Sequence, residues 1–118
     1  MAIQRINPGS RSSEMVVHND TIYVTTTPNK PYDPALSAAD QARQILATVD
    51  QRLASLSTDK SKLLATQIWL SDIRYFDEVN AVWDAWIDPA NPPSRACACV
   101  VAMGKPDLKV EMIMVAAK

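Results

Sequence analysis

Apolar positions along this chain switch between two periods. Ala42, Ile45, Leu46, Val49, Leu53 and Leu56 recur at helical spacing and share one face, while Gln44, Asp50 and Gln51 take the other. Ser37-Ala38-Ala39-Asp40 has the chemistry of a helix start, with Ser37 as N-cap and Asp40 favourable in the first turn. Phe76, Val79, Trp83, Trp86 and Ile87 form a second helical stripe between Asp72 and Asp88, with Asn80 on its edge. Elsewhere the pattern is extended. Ile3 to Ile6 predicts a short strand ended by Asn7-Pro8-Gly9. Glu14 to His18 and Thr21 to Thr26 flank Asn19-Asp20, a pair suited to a tight hairpin turn. The second of these strands is rich in β-branched residues, and His18 is expected to be an exposed residue beside the turn. Pro28, Pro31 and Pro34 break the chain into an irregular loop. After a polar stretch from Ser57 to Lys62, Leu64 to Leu70 returns to a strand in which Trp69 is expected to pack.

The last third carries the least ordinary pattern. Pro89, Pro92 and Pro93 close the second helix. Arg95, Cys97, Cys99 and Val101 then alternate with Ala96, Ala98, Val100 and Ala102. Gly104-Lys105-Pro106-Asp107 has turn chemistry, and beyond it Glu111, Ile113 and Val115 alternate with Val110, Met112, Met114 and Ala116. Two strands joined by a turn is the plain expectation. The predicted order is β-β-β-α-β-α-β-β, an α+β fold with both helices packed on one face of a mixed six-stranded sheet. Neither of the last two strands has a clean polar face, so both sides of each are expected to be buried. Two helices cover one side of a sheet, and the other is expected to meet a second copy, making a homo-oligomer.

Composition narrows the function. The 118 residues suit one compact domain, 1–118. A formal net charge of −1 and a sequence pI of about 5.7 give no electrostatic footprint for nucleic acid or an anionic membrane. The longest apolar run, Ala96 to Met103, falls far short of the ~20 residues a membrane span needs. MAIQRINPGS at the N-terminus lacks an apolar signal core, so a cytoplasmic location is expected. Cys97 and Cys99 stand two apart on one strand, poorly placed to bond to each other. With a single histidine, His18, they supply too few ligands for a zinc site, so no metal is expected. Gly9 and Gly104 are the only glycines, which excludes glycine-rich phosphate loops and with them nucleotide chemistry of that kind.

Arg95 and Glu111 are then the residues that need a reason, each a lone charge in an apolar strand. If the two strands formed a hairpin, the groups would stand about 15 Å apart at ~3.3 Å per residue. They are either two separate surface charges or parts of a site shared between subunits.

Three segments carry a family resemblance: Val79-Asn80-Ala81-Val82-Trp83-Asp84-Ala85-Trp86, Pro93-Ser94-Arg95-Ala96-Cys97, and Lys109-Val110-Glu111-Met112. Together they resemble the reactive-intermediate deaminases (Rid, or YjgF-like), and the resemblance extends over nearly the whole chain. It implies a chorismate-mutase-like fold assembled as a homotrimer, with clefts between subunits. It also implies hydrolysis of enamine and imine intermediates to 2-oxo acids and ammonia, with no cofactor. The matching positions are Arg95 for the substrate carboxylate, Glu111 for the attacking water, and Cys97 and Asn80 as cleft-lining residues. Thr26 stands where the best-known branch places a glycine in the site. That branch's cleft tyrosine has no counterpart around Ser12 to Met15, and Ile113 replaces a second acid. The chain is thus more similar to YoaB-type members. A non-catalytic small-carboxylate-binding trimer and a ribonuclease are the rival functions, the latter disfavoured by the acidic pI.

Overall fold

In the computed structural model, which describes residues 2–118, the strands and helices follow in the predicted order. They are β1 (Ile3–Pro8), β2 (Ser13–His18), β3 (Thr21–Thr26), α1 (Ala38–Ser55), β4 (Leu63–Leu70), α2 (Phe76–Trp86), β5 (Ser94–Cys99) and β6 (Val110–Ala117). Short 3-10 turns at Lys60–Lys62 and Ile73–Tyr75 lead into β4 and α2. Ser37 caps α1, its Oγ accepting from Asp40 N at 3.0 Å. Asn19 adopts φ 56° at the two-residue turn between His18 and Thr21, which closes the β2–β3 hairpin and leaves His18 exposed.

The fold is α+β, a mixed sheet ordered β1-β2-β3-β6-β4-β5 in which β4 and β5 run parallel and the other neighbours antiparallel. Both helical stripes meet one face of it. Ile45, Val49 and Leu53 of α1 and Val79 and Trp83 of α2 are buried with Ile22, Ile68, Met112 and Met114 of the sheet. Burial of each large aliphatic side chain contributes about 2 kcal/mol, so the stripes decide where the helices lie.

Two expectations about the last strands are overturned. The first is the terminal hairpin, because β5 and β6 are not partners. β6 is inserted between β3 and β4, and β5 lies on the far side of β4 as the sheet edge. The cause is α2: a helix packed on the sheet returns the chain so that β5 starts alongside β4 in parallel, the usual outcome of a β-α-β crossover. Residues 100–109 then form a long connection rather than a tight turn, and carry the chain back past β4. The alternating pattern past Cys99 is therefore loop, and Val101 is fully exposed. The second is burial of both strands on both sides. β6 is central and alternates buried with half-buried residues, but β5 is an open edge whose residues are exposed or half-buried. Apolar composition there comes from small residues that the single chain does not cover.

The face opposite the helices is open. Tyr23, Trp69, Ala98, Ile113 and Val115 lie on it, with Thr25, Gln67 and Glu111 among them, as the paired registers Tyr23↔Val115, Gln67↔Ile113, Trp69↔Ala98 and Trp69↔Glu111 require. Trp69, expected to pack, is left 37% exposed on this face.

Candidate functional site

Asn80 and Trp83 stand three residues apart on α2, so they share a face, and that face lies over β5. Arg95 rises from β5 to meet both. Its Nη2 donates to Asn80 Oδ1 at 2.7 Å, and its guanidinium carbon lies 5.3 Å from the centroid of the Trp83 ring, within cation–π range. No carboxylate pairs with it. The ion pairs among the described residues join Arg43 to Asp40, Arg52 to Glu14 and Arg74 to Asp72. Cys97, two residues on, is half-buried on the same side of the strand. Burial pushes its thiol pKa up, opposed by the charge of Arg95. Asn80, Arg95 and Cys97 are thus brought together.

Glu111 is not with them. Arg95 pairs with Thr66 of β4, whereas Glu111 pairs with Trp69 of the same strand. Positions 66 and 69 differ by an odd number, so the two charges point to opposite faces of the sheet. Three residues along β4 and two strands across place their Cα atoms about 14 Å apart at ~3.3 Å per residue and ~4.8 Å per strand. The observed topology and the expected hairpin differ, yet both keep the two charges from meeting within one chain. Burial pushes the Glu111 carboxyl above its ordinary value, with the positive charge of Lys30 pulling the other way.

Thr26 is also apart from Arg95. Its side chain is buried on the helix side, where its hydroxyl oxygen accepts from Arg52 Nη1 at 3.1 Å. A cleft of about 680 Å³ opens beside it, walled by Glu14, Thr25, Thr27, Lys30 and Arg52 among others. Neither Arg95 nor Glu111 lines that cleft. Among the described residues no group of three or more His, Cys, Asp or Glu side chains is placed to hold a metal ion.

Two polar residues that sequence reasoning passed over prove to be structural neighbours of the site. Gln41 is fully buried in α1. Its Nε2 donates to Asp107 O and its Oε1 accepts from Lys109 N, both at 2.8 Å. That clamp fixes the end of the 100–109 connection, two residues before Glu111. Thr66 is 2% exposed and sits on the helix-facing side of β4, opposite Arg95. The available signal was the same for both: a polar residue at a position whose period assigns it to the core.

The family model described as Endoribonuclease L-PSP matches residues 2–118. A RutC family protein of Haemophilus influenzae is 35% identical over 117 residues, spanning 98% of each chain. The RutC family protein YoaB of Escherichia coli K12 is also 35% identical over 117 residues, spanning 99% of each. The chain belongs to the Rid/YjgF family. Solved structures carry the same topology: an uncharacterized Pseudomonas aeruginosa protein matches with TM-score 0.92 at 34% identity, over 99% of both chains. A Neisseria meningitidis YjgF family member matches with TM-score 0.89 at 32% identity, over 100% of this chain and 96% of that one. Rid/YjgF membership thus agrees with the resemblance seen in the three segments around Asn80, Arg95 and Glu111.

Proposed function

We propose that this protein hydrolyses reactive 2-imino acids and their 2-amino-2-enoic tautomers to 2-oxo acids and ammonia, in clefts between the subunits of a homotrimer. The observation that carries this reading is Arg95: a guanidinium positioned by Asn80 and Trp83 and left without a carboxylate. A planar fork of donors that remains charged at any working pH is suited to grip a substrate carboxylate. Because β5 is a sheet edge, a second copy laid along it can bring its Glu111 to the reacting carbon. The apolar open face around Tyr23, Trp69 and Ile113 gives the copies a reason to associate.

The chemistry then needs few groups. With its carboxylate held by Arg95, the substrate presents its C=N carbon to water. Glu111, its proton affinity raised by burial, takes a proton from that water as the C–O bond forms. It returns the proton to the nitrogen of the tetrahedral intermediate; as the C–N bond breaks, Glu111 takes the hydroxyl proton and passes it to the departing ammonia, leaving the 2-oxo acid. A protonated imine is already electrophilic, so positioning supplies much of the acceleration. Cys97 and Asn80 line the substrate's side of the cleft.

The test is competition with semicarbazide. Imines are generated in situ by an amino-acid oxidase, and semicarbazone formation is followed with and without the protein. Trapping falls when the protein is added if the reading is right. Unchanged trapping together with measurable 2-oxo acid binding would instead assign the site to a non-catalytic carboxylate-binding role. The ribonuclease activity named in the family model's description wants a basic groove, and a net charge of −1 does not favour one.

A further inference from the structure

Thr66 and Arg95 occupy paired positions on the parallel strands β4 and β5, so both side chains rise from the same face of the sheet, toward α2. The Thr66 hydroxyl oxygen and Arg95 Nη1 are both sealed from solvent, and neither makes a hydrogen bond to another protein atom. Among the described residues these two are the buried side-chain polar atoms in that condition. Interiors rarely leave such groups unpaired, a charged donor least of all. Two of them on directly opposed residues, whose strands run about 4.8 Å apart, have a common solution.

We propose that Thr66 is a positioning residue for Arg95, joined to it through one buried water that accepts from Nη1 and donates to Oγ1. The guanidinium is then held on three sides. Asn80 takes one Nη2 proton and the Trp83 ring covers a face, while Thr66 and its water hold Nη1. What remains for a ligand is Nε–H and the second Nη2 proton, charged donors suited to a carboxylate. Holding the other nitrogens before the ligand arrives removes part of the ordering cost of binding. Valine would pack equally well at a position buried beside Ile68 and Leu70, so a hydroxyl there needs this kind of reason. The inference rests on reading Arg95 as the carboxylate ligand and adds the group that aims it.

The experiment pairs Thr66→Val, which keeps the shape and removes the hydroxyl, with Thr66→Ser, which keeps the hydroxyl. Calorimetric titration of the full-length protein with pyruvate is expected to show affinity about tenfold weaker for Thr66→Val. Thr66→Ser is expected to bind within about twofold of the parent. A second measurement does not depend on ligand. Urea midpoints at fixed protomer concentration are taken for Thr66→Val, Arg95→Met and the double variant. Thr66→Val is expected to lower the midpoint in the parent and to leave it unchanged in the Arg95→Met background. Parental pyruvate binding by Thr66→Val, or additive midpoints, would overturn the proposal. If the parent itself binds no pyruvate, the carboxylate reading of the site fails, and the unfolding cycle alone decides whether Thr66 holds Arg95.

Discussion

Arg95 is a residue whose neighbours position it without neutralising it, and its substitution separates a ligand role from a structural one. Arg95→Ala is expected to leave a folded oligomer that no longer hydrolyses imines, since its partners are one helix amide and one ring face. Arg95→Lys is expected to fail too, because an ammonium cannot reproduce two parallel donors. Loss of a charge-assisted pair in a desolvated cleft costs about 2–5 kcal/mol, which lowers the rate at subsaturating substrate by roughly tens to thousands of times. Steady-state kinetics alongside circular dichroism distinguishes this from unfolding. The pH profile tests Glu111. A general base must be ionised, so activity falls as pH drops through its pKa. Burial places that pKa above the ordinary 4.5, so the acid limb of kcat/KM, corrected for uncatalysed hydrolysis, is expected above that value. Glu111→Gln removes the limb and most of the turnover while pyruvate still binds. Arg95 and Glu111 stood out in the sequence because a charge interrupts an apolar strand, whereas Asn80, on the edge of a helical stripe, was singled out through the family resemblance. Thr66 offered only the weak signal of a polar residue at a core period, and a threonine is common in strands, so its register and unpaired hydroxyl were needed to single it out.

At the level of elements, periodicity located all six strands and both helices, and Ser37 announced the start of α1 by its capping chemistry. What periodicity does not contain is which strands pair. The hairpin expected from Gly104-Lys105-Pro106-Asp107 was wrong because a local turn signal competes with a nonlocal fact, the packing of α2, that no spacing in the last strands encodes. The same loop depends on a contact more than sixty residues away, since Gln41 bonds Asp107 at a separation of 66 and Lys109 at 68. Gln41→Leu keeps the volume of that side chain and leaves one carbonyl and one amide without their partner. We expect it to cost about 1–3 kcal/mol of stability, measured by urea unfolding at fixed protomer concentration. We also expect a drop in turnover that exceeds any loss of pyruvate affinity, because the freed segment leads into Glu111 while the Arg95 half stays fixed under α2. Unchanged stability would mean that Lys109 Nζ, bonded to Leu36 O, anchors the connection unaided.

For the whole molecule, a sheet covered by two helices on one side and open on the other leaves Tyr23, Trp69, Ala98, Ile113 and Val115 facing outward. Apolar composition in the last two strands pointed to this surface before the topology was known, although the strands proved not to be neighbours. Arg95 and Glu111 stand apart on this sheet: one belongs to the helix side of an edge strand, the other to the uncovered side of a central one. Ile113 sits between Thr25 of β3 and Gln67 of β4, near the middle of that face and clear of the Arg95 contacts. Ile113→Glu introduces a charge that a buried interface cannot accommodate without a partner, while the single chain, where Ile113 is already half-exposed, tolerates it. Sedimentation equilibrium is expected to report a trimer for the parent and a monomer for the variant, with the far-ultraviolet circular dichroism unchanged. Imine hydrolysis is expected to disappear in the variant although Arg95, Asn80 and Glu111 are all intact. A monomeric variant that retained full activity would place the complete site within one chain, which an Arg95–Glu111 separation of about 14 Å on opposite faces of the sheet does not allow. A trimeric, active variant would instead move the subunit contact to another surface, the β5 edge first among them.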